Sequence, residues 1–255
     1  MKINFQGTAA VINDTHNPYQ DQRALHEVEL FLLELQPGLL IKNGDMNDFY
    51  GLSKFDKNPE RKDTLQSDLN STRAMNTRQR VQMPDARQIH IDGNHEDRLR
   101  RYLWSKAPEL ASLNALNVDK LYGLNDNDIE KVGYEDGLLI NGVFMVSHGN
   151  IVRAHSSYTA KGLSDKQGGS GMCGHTHRGG SYYKRDRFGT YGYWENFCLC
   201  DLSPDYIQFP NWQQGFSLVH FIGDRFWVEQ MPIINRKFMY GGKLYGSGGK
   251  KKGEK

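Results

Sequence analysis

Seven side chains of this 255-residue chain are suited to holding metal ions, and they fall in five short clusters. They are Asp14 and His16 in Asp14-Thr15-His16, Asp45 in Gly44-Asp45-Met46-Asn47-Asp48, and Asn94 in Gly93-Asn94-His95-Glu96. His148 in Ser147-His148-Gly149, and His175 and His177 in Gly174-His175-Thr176-His177, complete the set. Oxygen and imidazole donors are mixed, and no thiolate is required. That mixture suits Mn²⁺, Fe or Zn²⁺ better than Ca²⁺ or a structural zinc knot. Seven ligands are too many for one tetrahedral ion and suit two ions that share a carboxylate. Two metals roughly 3.5–4 Å apart can clamp the attacking and leaving oxygens of an in-line displacement. They also bring the pKa of a bound water from about 15.7 toward 7.

Taken singly, each cluster has a plainer reading. DxH and GD are common by chance, and Asp and Gly at strand ends often only make turns. An HxH on a strand puts both imidazoles on one face without binding anything. Order changes that judgement. DxH, GDxxD, GNHE, GH and GHxH each follow a short β-like run: TAAVIND, LLIKNGD, RQIHIDGN, VFMVSHG and GSGMCGH. In an α/β sheet, the loops beyond the strand C-termini share one edge, and ligands bind there.

The elements between the clusters fit that frame. Ala24, Leu25, Val28, Phe31, Leu32 and Leu35 recur at helical spacing and predict a helix over Asp21–Gln36, stopped by Pro37-Gly38. A strand follows at Leu39–Lys42. Residues Pro59 to Met83 read as helical but very polar, with Leu65 and Leu69 as a thin stripe, and predict an exposed insertion at about 50–85 over the site. Ile89–Asp92 reads as a strand, and a basic helix with Leu99, Tyr102 and Leu103 begins near Glu96. Such alternation implies a largely parallel sheet with helices on its faces. From Tyr182 onward, aromatic and β-branched residues predict antiparallel strands that finish a second sheet, with a hairpin turn at Ile222-Gly223-Asp224-Arg225. Residues 1–240 therefore read as one domain, and the Gly- and Lys-rich tail at 241–255 reads as disordered.

Composition sets the outer bounds. The chain is 38% hydrophobic with a mean hydropathy of -0.69, polar for a globular protein, yet 11% aromatic content argues against disorder. A formal charge of +2 and a pI near 8.3 are too weak to require a nucleic-acid partner. FLLELQPGLLI is broken by Glu34, Gln36 and Pro37 and is too short to span a membrane. MKINFQGTAAVIND has no long apolar segment and reads as a first strand, so no signal peptide is expected. Three cysteines, an odd and sparse set, read as reduced thiols in a cytoplasm. Cys198 and Cys200 are expected as buried small hydrophobes on one strand face, with Cys173 packed behind the site.

The ordered motif set resembles the calcineurin-like metallophosphoesterase superfamily, over Asp14 to His177. The resemblance implies an α/β fold, a two-sheet β-sandwich flanked by helices in α/β/β/α layers. It implies two divalent ions, Mn²⁺ foremost, with Fe, Zn²⁺ or Ni²⁺ as alternatives. By position, Asp14, His16 and His177 would hold the first metal, Asp45 would bridge both, and Asn94, His148 and His175 would complete the second. His95 matches the family's histidine that contacts the phosphate and protonates the leaving group, and Asp48 the carboxylate that orients it. His95 also falls at a predicted helix start, where free N–H groups favour an anion. The implied reaction is phosphoester hydrolysis by in-line attack of a metal-bridging hydroxide, with His95 assisting the leaving oxygen.

Departures from a subfamily narrow the substrate. Protein Ser/Thr phosphatases carry an Arg directly after GDxxD and another just before GNHE. Phe49 and Asp92 stand at those positions. The clamp for a terminal phosphate dianion is missing, so a phosphodiester is expected, with DNA or RNA among its forms. Arg98 and Arg101, on the helix after GNHE, are the expected substrate contacts, against the plain reading of a solvated face. One alternative is a small-nucleotide phosphatase or pyrophosphohydrolase. Another is a non-catalytic scaffold, which the full ligand set and His95 disfavour. No membrane partner is expected. His155, Tyr158 and Lys161 read as a surface loop, and Trp104, Trp194, Trp212 and Trp227 as core or rim.

Overall fold

The structure, a computed structural model, describes residues 1–204 and 208–246. After a short strand, β1 (Lys2–Ile3), the run GTAAVI forms β2 (Gly7–Ile12). Ala9, Ala10, Val11 and Ile12 are all fully buried, so both faces of β2 are covered. Helix α1 (Gln22–Leu35) starts where the Asp21 side chain accepts from the N–H groups of Arg23 and Ala24. There follow β3 (Leu39–Asn43), α2 (Leu65–Gln82), β4 (Arg87–Ile91), α3 (Asn94–Lys106), the short α4 (Val118–Leu121) and β5 (Ile129–Val132). β2, β3, β4 and β5 lie side by side and parallel, as the alternation predicts.

A second sheet follows from β6 (Leu138–Ile140), β7 (Phe144–Ser147), α5 (Tyr158–Gln167), β8 (Ser170–Cys173), β9 (Gly179–Asp186) and β10 (Gly189–Asn196). Its order is β1-β6-β7-β8-β10-β9. The expectation that all late strands finish this sheet needs correction. β11 (Gln214–Ile222) and β12 (Arg225–Ile233) return to the first sheet, which runs β12-β11-β2-β3-β4-β5. β11 pairs antiparallel with β2 and completes its hydrogen bonding. Its alternation suits the place: Phe216 and Leu218 pack under the helices, while Val219 and Phe221 enter the sandwich.

Between the sheets, Ala9, Val11, Ile41 and Ile89 meet Ile140, Phe144, Val146 and Met172. On the outer face of the first sheet, Ala10, Ile12 and Leu40 pack on Leu25, Val28, Phe31 and Leu32 of α1. Helix α5 covers the other sheet by setting Ala160 and Leu163 on Cys173 and Tyr193. The layers are α/β/β/α, as the motif resemblance implies. Among the described residues, no helix is long and apolar enough to cross a membrane.

Two expected surface segments are built differently. Helix α2 is exposed on one side only: its other face buries Asp68, Leu69, Thr72, Met75, Asn76 and Gln79. Its contact face is polar because it lies over buried charges. The Lys42 ammonium donates to Asn76 Oδ1 at 2.7 Å, and Gln79 Nε2 donates to Glu29 at 3.0 Å. Apolar periodicity under-reports such a face. Within the expected tail, residues 241–246 belong to a hairpin of β13 (Phe238–Tyr240) and β14 (Lys243–Tyr245). Tyr245 stacks on Phe238 and sets its ring on Phe31 of α1, which draws this segment onto the helix layer. Residues 247–255 lie outside the described residues.

Candidate metal centre

The five clusters begin within three residues of the ends of β2, β3, β4, β7 and β8. Backbone hydrogen bonds join the first two loops side by side. Asp14 N–H donates to Gly44 O at 3.0 Å, His16 N–H to Asp45 O at 2.9 Å, and Asn17 N–H to Met46 O at 2.9 Å. A fourth bond crosses between the sheets. His148 Nδ1 donates to the Asn43 carbonyl at 2.8 Å, which leaves Nε2 facing inward, 3.2 Å from Asp45 Oδ2 and 3.1 Å from Asn94 Oδ1. The motif glycines are needed for this proximity. A Cβ on Gly44 would lie 2.3 Å from His148 Nδ1, and one on Gly93 would lie 2.2 Å from Asp45 Oδ1.

The ligands converge in two groups. Donor atoms of Asp14, His16 and His177 lie within 4.8 Å of one another, as do those of Asp45, His148 and His175. His16 Nε2 faces His177 Nε2 at 3.0 Å, and His177 Nε2 lies 3.1 Å from Asp14 Oδ1. Asp45 Oδ2 stands between the groups, 3.9 Å from His16 Nε2 and 3.2 Å from His148 Nε2. All seven positions named from the sequence therefore meet in one place. Inward-facing imidazole nitrogens and carboxylate oxygens at these separations form a donor set that fits divalent metal ions.

Charge is balanced in this buried cluster. Burial alone would raise the Asp14 and Asp45 carboxyls, but the neighbouring histidines hold both well below the usual range. Burial alone would lower His148, yet Asp45 and Asp14 push it up to about 9. His177 is likewise lowered by burial and raised by Cys200 and Asp14, to about 9. His175 goes the other way, down to about 4, through burial and the nearby His148.

Beside the ligands sits the expected acid–base pair. His95 Nδ1 lies 2.7 Å from the Asp48 carbonyl and 3.1 Å from Asp48 Oδ1. Asp48 Oδ1 also reaches His16 Nδ1 at 3.2 Å, so one carboxylate orients two rings. Arg98 donates to His95 Nε2 and to the Asp48 carbonyl, both at 2.8 Å. Arg101 is placed differently: it bonds Asp97 and borders a neighbouring groove. A cavity of about 860 Å³ opens over the ligands, walled by Tyr50, Phe55, Lys57, Arg61, Arg98 and Trp212. Of the plain readings, His155 is exposed in a loop with its ring against Tyr158, but Tyr158 and Lys161 lie on α5 rather than in that loop. Trp194 is core, and Trp104 and Trp227 are exposed.

Several contributors were not assigned from the sequence. Asp14, His16, Asp45, His175 and His177 all hold left-handed backbone, with φ between 50° and 68°. Such conformations cost energy and persist only where surroundings over-determine them. Two buried carboxylates do so here. Glu96 accepts from the N–H groups of Asp45 (2.9 Å), Met46 (3.0 Å) and Gly93 (2.8 Å) and from the Tyr122 hydroxyl (2.9 Å). Glu195 accepts from the N–H groups of Thr159 and Ala160, both at 3.1 Å, and from the Thr176 hydroxyl at 2.8 Å, between the two histidines of GHTH. Glu96 stands inside the GNHE motif, the one signal that could have found it. Arg61 is stacked between the rings of Tyr19 and Tyr50, 4.2 Å from each, and Trp212 sets its edge on His177 at 4.3 Å.

The cysteines also differ from expectation. Cys198 and Cys200 are buried, but in the loop after β10 rather than on one strand. Cys200 Sγ lies 3.8 Å from His177 Nδ1, the nitrogen that faces away from Asp14. A partner at the remote nitrogen fixes the ring and tautomer of a metal-binding histidine. Cys200→Ala is expected to weaken Mn²⁺ affinity about 10–100-fold, read by calorimetric titration, with Cys173→Ala as the control. Equal affinity in the two variants would remove Cys200 from this role.

No protein-family model matches this chain. The chain is similar to the Gene 54 protein of Mycobacterium phage D29, 26% identical over 263 residues, which is 92% of this chain and 97% of the relative. The Gene 54 protein of Mycobacterium phage L5 is 25% identical over 257 residues, with the same shares of the two chains. Among solved structures, Vps29 from Entamoeba histolytica complexed with Zn²⁺ is similar at a TM-score of 0.46 and 10% identity, over 93% of this chain and 95% of that one. YfcE, a phosphoesterase from E. coli, is similar at a TM-score of 0.36 and 11% identity, over 83% of this chain and 87% of its own.

Proposed function

We propose that this chain is a dimetal phosphoesterase whose substrates are phosphodiesters. The observation that carries the reading is the arrangement of Asp45: its carboxylate stands between two groups of ligands, with the Asp48–His95 pair alongside. Divalent ions held there would acidify a water and neutralise charge on the phosphate. Asp14, His16 and His177 would hold one ion, Asn94, His148 and His175 the other, and Asp45 both. Asp48 keeps His95 turned so that Nε2 faces the cavity and can give a proton to the leaving oxygen. Arg98, now donating to that nitrogen, also lines the cavity and would leave Nε2 for the oxygens of a bound phosphate.

Two features support a diester. Phe49 is fully buried against Tyr122, and Asp92 is engaged by His90 and Lys131, so neither clamp position points a cation at the ions. The cavity is also larger than a lone phosphate requires and leaves room for ester groups on both sides of phosphorus. In Mn²⁺-loaded protein, kcat/KM for bis-(p-nitrophenyl) phosphate is expected to exceed that for p-nitrophenyl phosphate. A monoester preference would overturn the diester reading. No turnover of either ester with Mn²⁺, Fe²⁺, Zn²⁺ or Ni²⁺ would favour a non-catalytic scaffold.

A further inference from the structure

A groove of about 480 Å³ leads away from the ligands and shares Ser53, Phe55, Asn94 and Arg98 with the cavity above them. One wall is a single face of α3. Asn94, Arg98, Arg101, Tyr102 and Ser105 recur at helical spacing, so the face starts at a metal ligand and runs outward about 16 Å at about 1.5 Å per residue. The other wall is the segment from Leu52 to Phe55. Four cations line the groove, Lys54, Arg98, Arg101 and Lys106, and no carboxylate does. Arg101 is tethered to Asp97, yet its side chain is 69% exposed. The opposite flank of α3 is mostly acidic: its cavity sets Asp92, Glu96, Asp97, Glu135 and Asp136 against Arg100 and Lys131. Charge is therefore sorted across one helix, though the chain as a whole carries only +2. Phe55 is 67% and Tyr102 44% exposed, one on each wall.

We propose that this groove binds a single-stranded polynucleotide and leads its backbone to the ligands. The proposal rests on the phosphodiesterase reading and names its substrate class. A row of cations without carboxylates matches successive backbone phosphates. Exposed aromatic faces beside that row stack bases without regard to sequence. Stacking on Phe55 and Tyr102 requires bases that are not paired, which selects a single strand over a duplex.

The test is fluorescence anisotropy with full-length Mn²⁺-loaded protein and labelled 15-nucleotide strands of dT and U. The linkages are phosphorothioate, to resist cleavage, and a duplex of equal length is run in parallel. Single strands of either sugar are expected to bind more tightly than duplex. At about -0.7 per neutralised phosphate, four cations give a log–log salt slope of about -2.8. Lys54→Glu with Lys106→Glu should weaken binding at least 10-fold and flatten the slope by about 1.4. Turnover of bis-(p-nitrophenyl) phosphate should stay at the wild-type value, since neither lysine borders the ligands. Phe55→Ala with Tyr102→Ala should weaken binding while leaving the slope unchanged. Unaltered affinity in the charge-reversed variant, or tighter binding of duplex, would overturn the proposal. Diester turnover without strand binding sinks the groove alone, and strand binding without diester turnover sinks the catalytic reading alone.

Discussion

Replacing His95 with Gln is expected to lower kcat for an activated diester by about 10²–10⁴-fold, the range for loss of a general acid–base group, and to leave the metal content at the wild-type value, two ions per chain on the proposed reading. The expectation follows from the placement of the ring. Asp48 holds Nδ1 from behind, and Nε2 lies 3.8 Å from Asp45 Oδ2, too far for a direct hydrogen bond but beside the place where a phosphate must sit. Gln keeps a polar side chain of similar reach and cannot carry the proton. Metal content by mass spectrometry decides between two roles, because donors of His16, Asp45 and His95 also lie within 4.8 Å of one another. If the variant holds one ion instead of two, His95 is a ligand. If it turns over at the wild-type rate, His95 has no chemical part.

Glu96→Gln is expected to lower Tm by on the order of 10 °C and to weaken metal binding, although Glu96 is not among the ligands. The carboxylate is 2% exposed and accepts from three backbone N–H groups and a hydroxyl. An amide replaces one acceptor oxygen with a donor and sets it against buried donors. Each buried donor left unpaired costs about 1–3 kcal/mol, and about 2–4 °C of Tm accompanies each kcal/mol in a chain of this size. Two such losses give the stated shift. The metal effect follows because Asp45 and Gly93 lose the bonds that hold their loops together. Calorimetry with and without Mn²⁺ reads both. An unchanged Tm would mean that Glu96 does not hold the loop.

The candidate metal site was legible because its residues sit where strands end, and strand ends are announced by short apolar runs before Asp14, Asp45, Asn94, His148 and His175. Helix α1 was legible because Val28, Phe31 and Leu32 bury an apolar stripe. Helix α2 was legible as a helix but its buried face was not, since Asn76 and Gln79 face the interior as hydrogen-bonding partners of Lys42 and Glu29. Glu96 and Glu195 were hidden for a related reason. Their work is done on backbone N–H groups, which every residue has, and of the two only Glu96 stands in a motif. The basic groove was out of reach because Lys54 and Lys106 face each other from opposite walls only after the chain crosses β4. The sheet that receives β11 depends on which edge lies open, a property of the assembled fold.

That last pairing has a consequence for how the protein is made. β2 borders β3 on one side and β11 on the other, and β11 is translated about 200 residues after it. At about 5–20 residues per second, the apolar edge of β2 waits roughly 10–40 s for its partner. An open edge of that kind is a template for pairing with another chain. β2 also leads directly into Asp14 and His16, the first ligands to be synthesised. The earliest part of the site on the ribosome is thus among the last to be enclosed, and the interval before β11 arrives is when a nascent chain is most open to misassembly.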